Sequence, residues 1–218
     1  MIKEIRYLIL KDMMLEWKQK YAINGILLYI LSTIFLCSLA FEGLLEPDTW
    51  NALFWVVLLF AAVNAVSKSF VQEAPGRQLY YYSLARPEAV ILAKIIYNIL
   101  MMLLLSLLFY LIFTLFLGNF VKNPVLFFLA VITGSTGLAA LFTMISAIAS
   151  RTNNNSALMA ILGFPVILPL LLLMIKTSRA AIHHMSWEGS GLWLLSMGGL
   201  IIIIITLSTL LFPYLWRE

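Results

Sequence analysis

Beyond its first twenty residues, this 218-residue chain concentrates its polar chemistry in one internal segment, QEAPGRQLYYYSLARPEAVILAK, which covers residues 72–94. The residues that suit it to protein contact are Glu73, Gly76, Arg77, Tyr80, Tyr81, Tyr82, Arg86 and Pro87. Tyrosine and arginine are enriched at protein interfaces because they combine a large contact area with hydrogen-bond donors. Aromatic and charged residues also anchor chains at the membrane surface. The segment is therefore either a docking surface for another protein or a membrane-interface anchor, and the residues alone leave both interpretations open.

Neither this segment nor the rest of the sequence has the motif of a catalytic or metal site. The chain lacks the G-x-x-x-x-G-K-[ST] phosphate loop and the H-E-x-x-H zinc motif. Its nearest glycine cluster, GSTG at residues 134–137, has no lysine, and the small residues Gly134 and Gly137 favour close packing between membrane helices instead. We predict that the chain is not an enzyme, holds no catalytic residue and no metal, and hydrolyses no ATP by itself.

The composition places the protein in a membrane. Its hydrophobic fraction is 63% and its charged fraction 11%, against about 45–50% and about 25% in soluble domains. Apolar runs close to the ~20 residues needed to cross a bilayer predict an all-α polytopic protein with six transmembrane helices. The predicted spans are 21–41, 50–66, 89–117, 125–148, 158–175 and 192–215, within a single transmembrane domain that covers residues 1–218.

Residues 1–20 are too polar to span the bilayer and too apolar to remain in water. The segment has an apolar helical arc that includes Met13 and a polar arc that includes Asp12, although Leu8 and Leu15 break the pattern. This pattern predicts an amphipathic helix that lies along the membrane interface. A cytoplasmic extension of the first span is the alternative.

The distribution of positive charge predicts the orientation. Six spans place both termini on the same side, and basic residues collect on the cytoplasmic side of membrane proteins. If the termini are cytoplasmic, only Lys122, Lys176 and Arg179 of the 14 lysines and arginines lie outside. The loop 67–88 is then cytoplasmic, and the loop 176–191 lies outside.

The predicted spans lack the ionisable residues of an ion-coupled carrier. Acidic residues and histidines deep in a membrane usually mark ion or proton pathways, and the spans contain none. Lys94, near the start of the third span, is expected to extend its ammonium to the interface. This pattern argues against a secondary transporter, so any transport must draw its energy from a partner.

Three stretches give the sequence a family likeness. SLARP at 83–87 leads into LAK at 92–94, the small residues of 134–140 lead to the polar loop 150–156, and the fifth span carries two prolines four residues apart. In these stretches, in its length and in its six spans, the chain resembles the membrane subunits of ABC-2 type exporters. More narrowly, it resembles the heme exporter protein B (CcmB) family of the cytochrome c maturation system. The tyrosine triplet departs from the more aliphatic loop expected in that family.

The resemblance implies the permease subunit of an ABC-type complex that handles haem in cytochrome c maturation, in a bacterial inner membrane with both termini cytoplasmic. The implied partners are a cytoplasmic CcmA-like ATPase that docks on the loop 67–88, a second copy of the chain, CcmC-like and CcmD-like haem-handling membrane subunits, a CcmE-like haem chaperone and the lipid bilayer, but no nucleic acid. Haem enters as cargo or as a transient ligand, with no firmly bound cofactor. The alternatives are an ABC-2 exporter of another substrate and a non-transporting membrane scaffold for haem proteins.

His183 and His184 are the candidate haem contacts. They lie in the predicted outer loop beside Met185, and imidazole and thioether are both haem ligands. Neighbouring residues on a helix point about 100° apart, so at most one of the two would serve a given site. An ordinary interfacial loop is the alternative.

The two prolines of the fifth span, Pro165 and Pro169, each remove a backbone donor and are expected to distort the helix. Such breaks persist in membranes where neighbouring helices or water satisfy the freed carbonyl groups. A kinked span at an interface with a second copy or another partner fits this pattern, and prolines are also common in inert spans.

Overall fold

All the regular structure that the computed structural model describes is helical. It describes residues 2–18, 20–41, 43–66, 70, 86–150, 155–183 and 187–217, and for 17–18, 20–23, 155–162, 187–188 and 215–217 it describes the backbone alone. The seven helices in these residues are α1 (Ile2–Lys18), α2 (Lys20–Phe41), α3 (Pro47–Val66), α4 (Pro87–Leu117), α5 (Pro124–Ala149), α6 (Asn155–Ile182) and α7 (Trp187–Arg217).

Six of these helices, α2 to α7, are long and apolar enough to cross a bilayer. Each predicted span coincides with one of them, so the prediction of an all-α protein with six spans is confirmed. The remaining helix, α1, has 17 residues and packs mainly against α4. Its position along a membrane interface stays a prediction.

The last two spans are longer than the sequence predicted. α6 and α7 leave only residues 183–186 between them, so the loop predicted over 176–191 is mostly helical and that prediction was wrong. The apolar run ends at Lys176, but the helix does not, because Lys176 and Arg179 point outward. Thr177, between them, is buried, and its hydroxyl donates to the Leu173 carbonyl at 2.8 Å. The hydroxyl therefore has its hydrogen-bond partner within the same helix.

α5 is the central helix and packs against α3, α4, α6 and α7. A Cβ at Gly134 would lie 2.8 Å from Cη2 of Trp55 on α3, and one at Gly137 would lie 3.0 Å from the methyl carbons of Leu170 on α6. Both distances are shorter than the ~3.5–4.0 Å of ordinary carbon–carbon contact. The absence of a side chain at these two positions therefore allows α3 and α6 to approach the α5 backbone.

Aromatic rings fill the space between α3, α4 and α5. The Phe54 ring lies 5.0 Å from that of Phe109 and 5.3 Å from that of Phe127. The Trp50 indole stacks on Phe54 and donates its N–H to the Gly118 carbonyl at 3.0 Å. These contacts place the start of α3 beside the end of α4.

α6 is assigned as one helix through Pro165 and Pro169. Both prolines are exposed on the described part of the chain, as are the neighbouring Phe164 and Leu168. This face of α6 therefore points away from the described bundle, and a partner interface on it stays a prediction.

Replacing Gly134 by alanine tests the packing around α5. We expect Gly134→Ala to lower the Tm of the purified chain, because the added methyl overlaps the Trp55 ring and overpacking costs about 1–3 kcal/mol. Gly199→Ala on α7 is the matched control, since a Cβ there meets nothing within 4 Å and alanine favours the helix by about 0.5–1 kcal/mol. Thermal unfolding in detergent, followed by tryptophan fluorescence, measures both. Equal Tm values for the two variants would contradict the close contact.

Candidate functional site

The predicted docking loop 67–88 is described only at its two ends. Glu73, Gly76, Arg77, Tyr80, Tyr81 and Tyr82 lie outside the described residues, so their role stays a prediction. At the C-terminal end, Arg86 is exposed and extended, with φ −72° and ψ 139°, and α4 begins at Pro87. The Arg86 carbonyl accepts from the Ala89 N–H at 3.0 Å and the Val90 N–H at 3.1 Å. Proline suits this first helical position, because its missing N–H would have no intrahelical partner there.

Phe70 fixes the chain inside the bundle soon after the end of α3. Its residue exposure is only 4%. Its N–H donates to the Ser146 hydroxyl of α5 at 3.3 Å, and its ring lies 5.5 Å from the Phe212 ring of α7. The Lys94 ammonium of α4 lies 5.3 Å from the Phe70 ring centroid, which is within the ~6 Å range of a cation–π contact. Phe70 therefore touches α4, α5 and α7 together.

Lys94 is buried between helices of the bundle, and its position at the membrane interface stays a prediction. Its side chain is only 7% exposed, and its Nζ lies 3.6 Å from Oδ2 of Asp12 on α1, whose side chain is 8% exposed. A buried ammonium is strongly disfavoured without a counter-charge. The Asp12 carboxylate and the Phe70 ring both face this ammonium, which explains why Lys94 is retained inside the bundle.

A second polar contact joins α1 to α4 near the ion pair. The Tyr97 hydroxyl donates to Oε2 of Glu16 at 2.9 Å. Asp12 and Glu16 lie about one helical turn apart on α1, and Lys94 and Tyr97 lie about one turn apart on α4. The two contacts therefore lie next to each other along the interface between α1 and α4. We refer to Asp12, Glu16, Phe70, Lys94 and Tyr97 as the Lys94 cluster.

The face of α1 that packs on the bundle is the one that carries Asp12. Leu8, which broke the amphipathic pattern in the sequence, lies one turn before Asp12 and packs against the core. Met13 and Met14, on the apolar arc, are exposed at 49% and 65%. Asp12 and Glu16 of α1 thus serve an internal contact, and the exposed methionines of the apolar arc face away from the bundle.

A second charged cluster lies at the end of the bundle opposite to the Lys94 cluster, where α3 begins and α4 and α6 end. Asp48 Oδ2 lies 2.7 Å from Nη2 of Arg179, and its Oδ1 lies 2.8 Å from Nε2 of His183. Below this contact, the Asn51 amide donates to the Ile175 carbonyl at 3.0 Å. The Asn51 amide oxygen accepts from the Ser178 hydroxyl at 2.7 Å. The buried amide therefore fixes the start of α3 against the end of α6, and this places Asp48 beside Arg179 and His183.

A cavity of about 370 Å³ adjoins this second cluster. Its lining includes Lys176 and Arg179 of α6, His183 directly after α6, and Trp193 of α7. The His183 Nε2 is engaged by Asp48, which leaves Nδ1 as the ring nitrogen for any further ligand. His184 lies outside the described residues. A haem contact at either histidine stays a prediction.

Neither cluster has the arrangement of a catalytic site. Within the described ranges, no group of three or more His, Cys, Asp or Glu side chains is placed to hold a metal ion. The Lys94 cluster links helices, and the second cluster presents cations beside a cavity. The first arrangement can transmit a displacement between helices, and the second can attract an anion.

The sequence also matches a known protein family. Residues 3–216 match the family model described as "CcmB protein", and this range includes both clusters. A search of the curated proteins finds no significant match.

The ion pair between α1 and α4 can be tested by a double-mutant cycle. We expect Asp12→Leu to lower the stability of the chain by about 3–5 kcal/mol, because it breaks a buried ion pair. Lys94→Met is expected to cost less, because the Asp12 carboxylate keeps the Lys11 ammonium at 3.0 Å. The double variant is expected to lose much less than the sum of the two. Lys3→Met, which removes an exposed charge from α1, serves as the control. Additive losses, measured by thermal unfolding in detergent, would contradict a coupled pair.

Proposed function

Because the chain belongs to the CcmB protein family, the family of the haem-exporter permease in cytochrome c maturation, we propose that it is the permease subunit of an ABC-type complex that handles haem. The proposed energy source is a separate cytoplasmic ATPase, since the chain itself has no phosphate loop. A second copy of the chain, further haem-handling membrane subunits and a haem chaperone complete the proposed complex. Haem is its proposed cargo.

The Lys94 cluster is the observation that carries this proposal. Phe70 lies near the beginning of the proposed docking loop and contacts Lys94, Ser146 and Phe212, which belong to three different helices. A displacement that the ATPase imposes on the loop would therefore reach α4, α5 and α7 through one side chain. Since Asp12 and Glu16 hold α1 on α4, we expect α1 and the start of α4 to move together.

Both termini and the loop 67–88 are proposed to face the cytoplasm, where the ATPase resides. The distribution of lysine and arginine supports this orientation. The Asp48 end of the bundle would then lie at the outer side of the membrane, where exported haem is received. The ATPase and the cargo would thus meet the permease at opposite ends of the bundle.

Cysteine labelling tests the orientation. In a Cys37→Ser background, Glu46→Cys and Lys122→Cys introduce thiols at exposed positions between α2 and α3 and between α4 and α5. We expect a membrane-impermeant reagent to label both from outside in spheroplasts, and to label Arg86→Cys only after permeabilisation. Labelling of Arg86→Cys alone in intact spheroplasts would reverse the orientation.

Aromatic substitutions test the coupling to the ATPase. Truncating an interface aromatic costs about 1–2 kcal/mol or more at the critical positions, which is roughly a 5- to 30-fold weaker association. Changing Tyr80, Tyr81 and Tyr82 together to alanine should therefore abolish copurification of the ATPase. Phe70→Ala should leave the ATPase bound but uncouple its hydrolysis from cytochrome c maturation. Phe164→Ala, an exposed phenylalanine on α6, is the control.

The outcomes of this experiment distinguish the alternatives. If the triple variant binds the ATPase and matures cytochrome c at the parental level, the segment is a membrane-interface anchor. If the parental chain binds haem-handling partners but has no effect on ATP hydrolysis, the chain is a non-transporting scaffold.

A further inference from the structure

The exposed face of α6 changes from apolar to cationic along its length. Its exposed residues, spaced three or four apart, are Phe164, Leu168, Leu172, Lys176 and Arg179, and His183 continues this face directly after the helix. Residues at this spacing lie on one face of a helix. The stretch from Leu172 to His183 covers about 16 Å at 1.5 Å per residue. This face therefore presents an apolar strip that ends in the permanent cations of Lys176 and Arg179 and the imidazole of His183.

The cavity of about 370 Å³ lies at the cationic end of this face, with Trp193 of α7 on its wall. Arg179 is paired with Asp48 at 2.7 Å. Lys176 is exposed and makes no ion pair with any residue that the structure describes. Among the described residues, the Asp48 carboxylate therefore balances only one of the two cations, which leaves an excess of positive charge beside an apolar surface.

We propose that this cavity binds the phosphate of an acidic membrane phospholipid, with the acyl chains of that lipid along Leu172 and Leu168. Guanidinium and ammonium groups are both phosphate-binding groups. A tryptophan is favoured at the depth of the headgroups, because its ring is apolar and its N–H is polar. A zwitterionic headgroup fits less well, since its own cation would face Lys176 and Arg179. The lipid is thus selected by its net negative charge.

Native mass spectrometry of the full chain tests this proposal. The probe is an equimolar mixture of phosphatidylglycerol and phosphatidylcholine, and we expect the parental chain to retain phosphatidylglycerol preferentially. Lys176 lines the cavity, and a basic residue in contact with an anionic headgroup contributes roughly a fivefold effect, so Lys176→Gln should reduce the preference about fivefold. Lys176→Gln with Arg179→Gln should abolish it.

Lys122→Gln is the matched control, because it removes one exposed lysine from the adjoining loop. That loop is held at the same end of the bundle, where the Asn123 N–H donates to the Ala181 carbonyl at 2.9 Å. The control should retain phosphatidylglycerol as the parental chain does. An equal loss in Lys122→Gln, or an unchanged preference in the double variant, would overturn the proposal.

Two other occupants of this face are separated by the same variants. Protohaem is also an acidic amphiphile, and loss of protohaem binding with retained lipid preference would assign the cavity to haem and overturn the lipid proposal. If the variants change from dimer to monomer but keep the lipid preference, the face binds a second copy of the chain. That result would also overturn the lipid proposal. ATPase copurification should stay at the parental level in every variant, so failure here is distinct from failure of the proposed coupling.

Discussion

The buried contact between the Asp12 carboxylate and the Lys94 ammonium is the interaction on which one end of the bundle depends. Removing an ion from water costs several kcal/mol even after relaxation, and both of these side chains are less than a tenth exposed. The charge inside α4 is therefore stable while α1 supplies its counter-charge. Phe70 lies over the same ammonium. The position of α1, the start of α4 and the chain after α3 are consequently linked at one point.

The middle of the bundle is built in the opposite way, without charge. Gly134 and Gly137 allow close helix contacts, and the aromatic rings around Phe54 fill the remaining space. Dense packing of this kind deforms little and passes a displacement from one end to the other. The charged groups lie at the two ends of the described bundle, where one set joins helices and the other borders a cavity. This division fits the proposal that a partner, and not an ion gradient, moves the permease.

Features that depend on local composition could be predicted from the sequence. Features that depend on contacts between distant residues could not. Apolar run length identified all six spans, and Pro87 marked the start of α4. The burial of Lys94 was not predicted because its counter-charge belongs to another helix, and the local signs that the Asp12 face packs inward were Leu8 and Leu15, which broke the amphipathic pattern. The extension of α6 past Lys176 was missed because a charge closes an apolar run without ending a helix. The docking tyrosines lie outside the described residues and remain a prediction from residue type.

The proposed joint movement of α1 and α4 is tested most directly by distances between spin labels in a complex with the proposed ATPase. In a Cys37→Ser background, one pair of labels replaces Met13 of α1 and Glu88 of α4, and the other replaces Met13 and Tyr214 of α7, all at exposed positions. We expect nucleotide binding to leave the α1–α4 distance unchanged and to shift the α1–α7 distance. A change in the α1–α4 distance on nucleotide binding would show that the Asp12–Lys94 pair opens during the cycle, and would contradict a fixed link between the two helices.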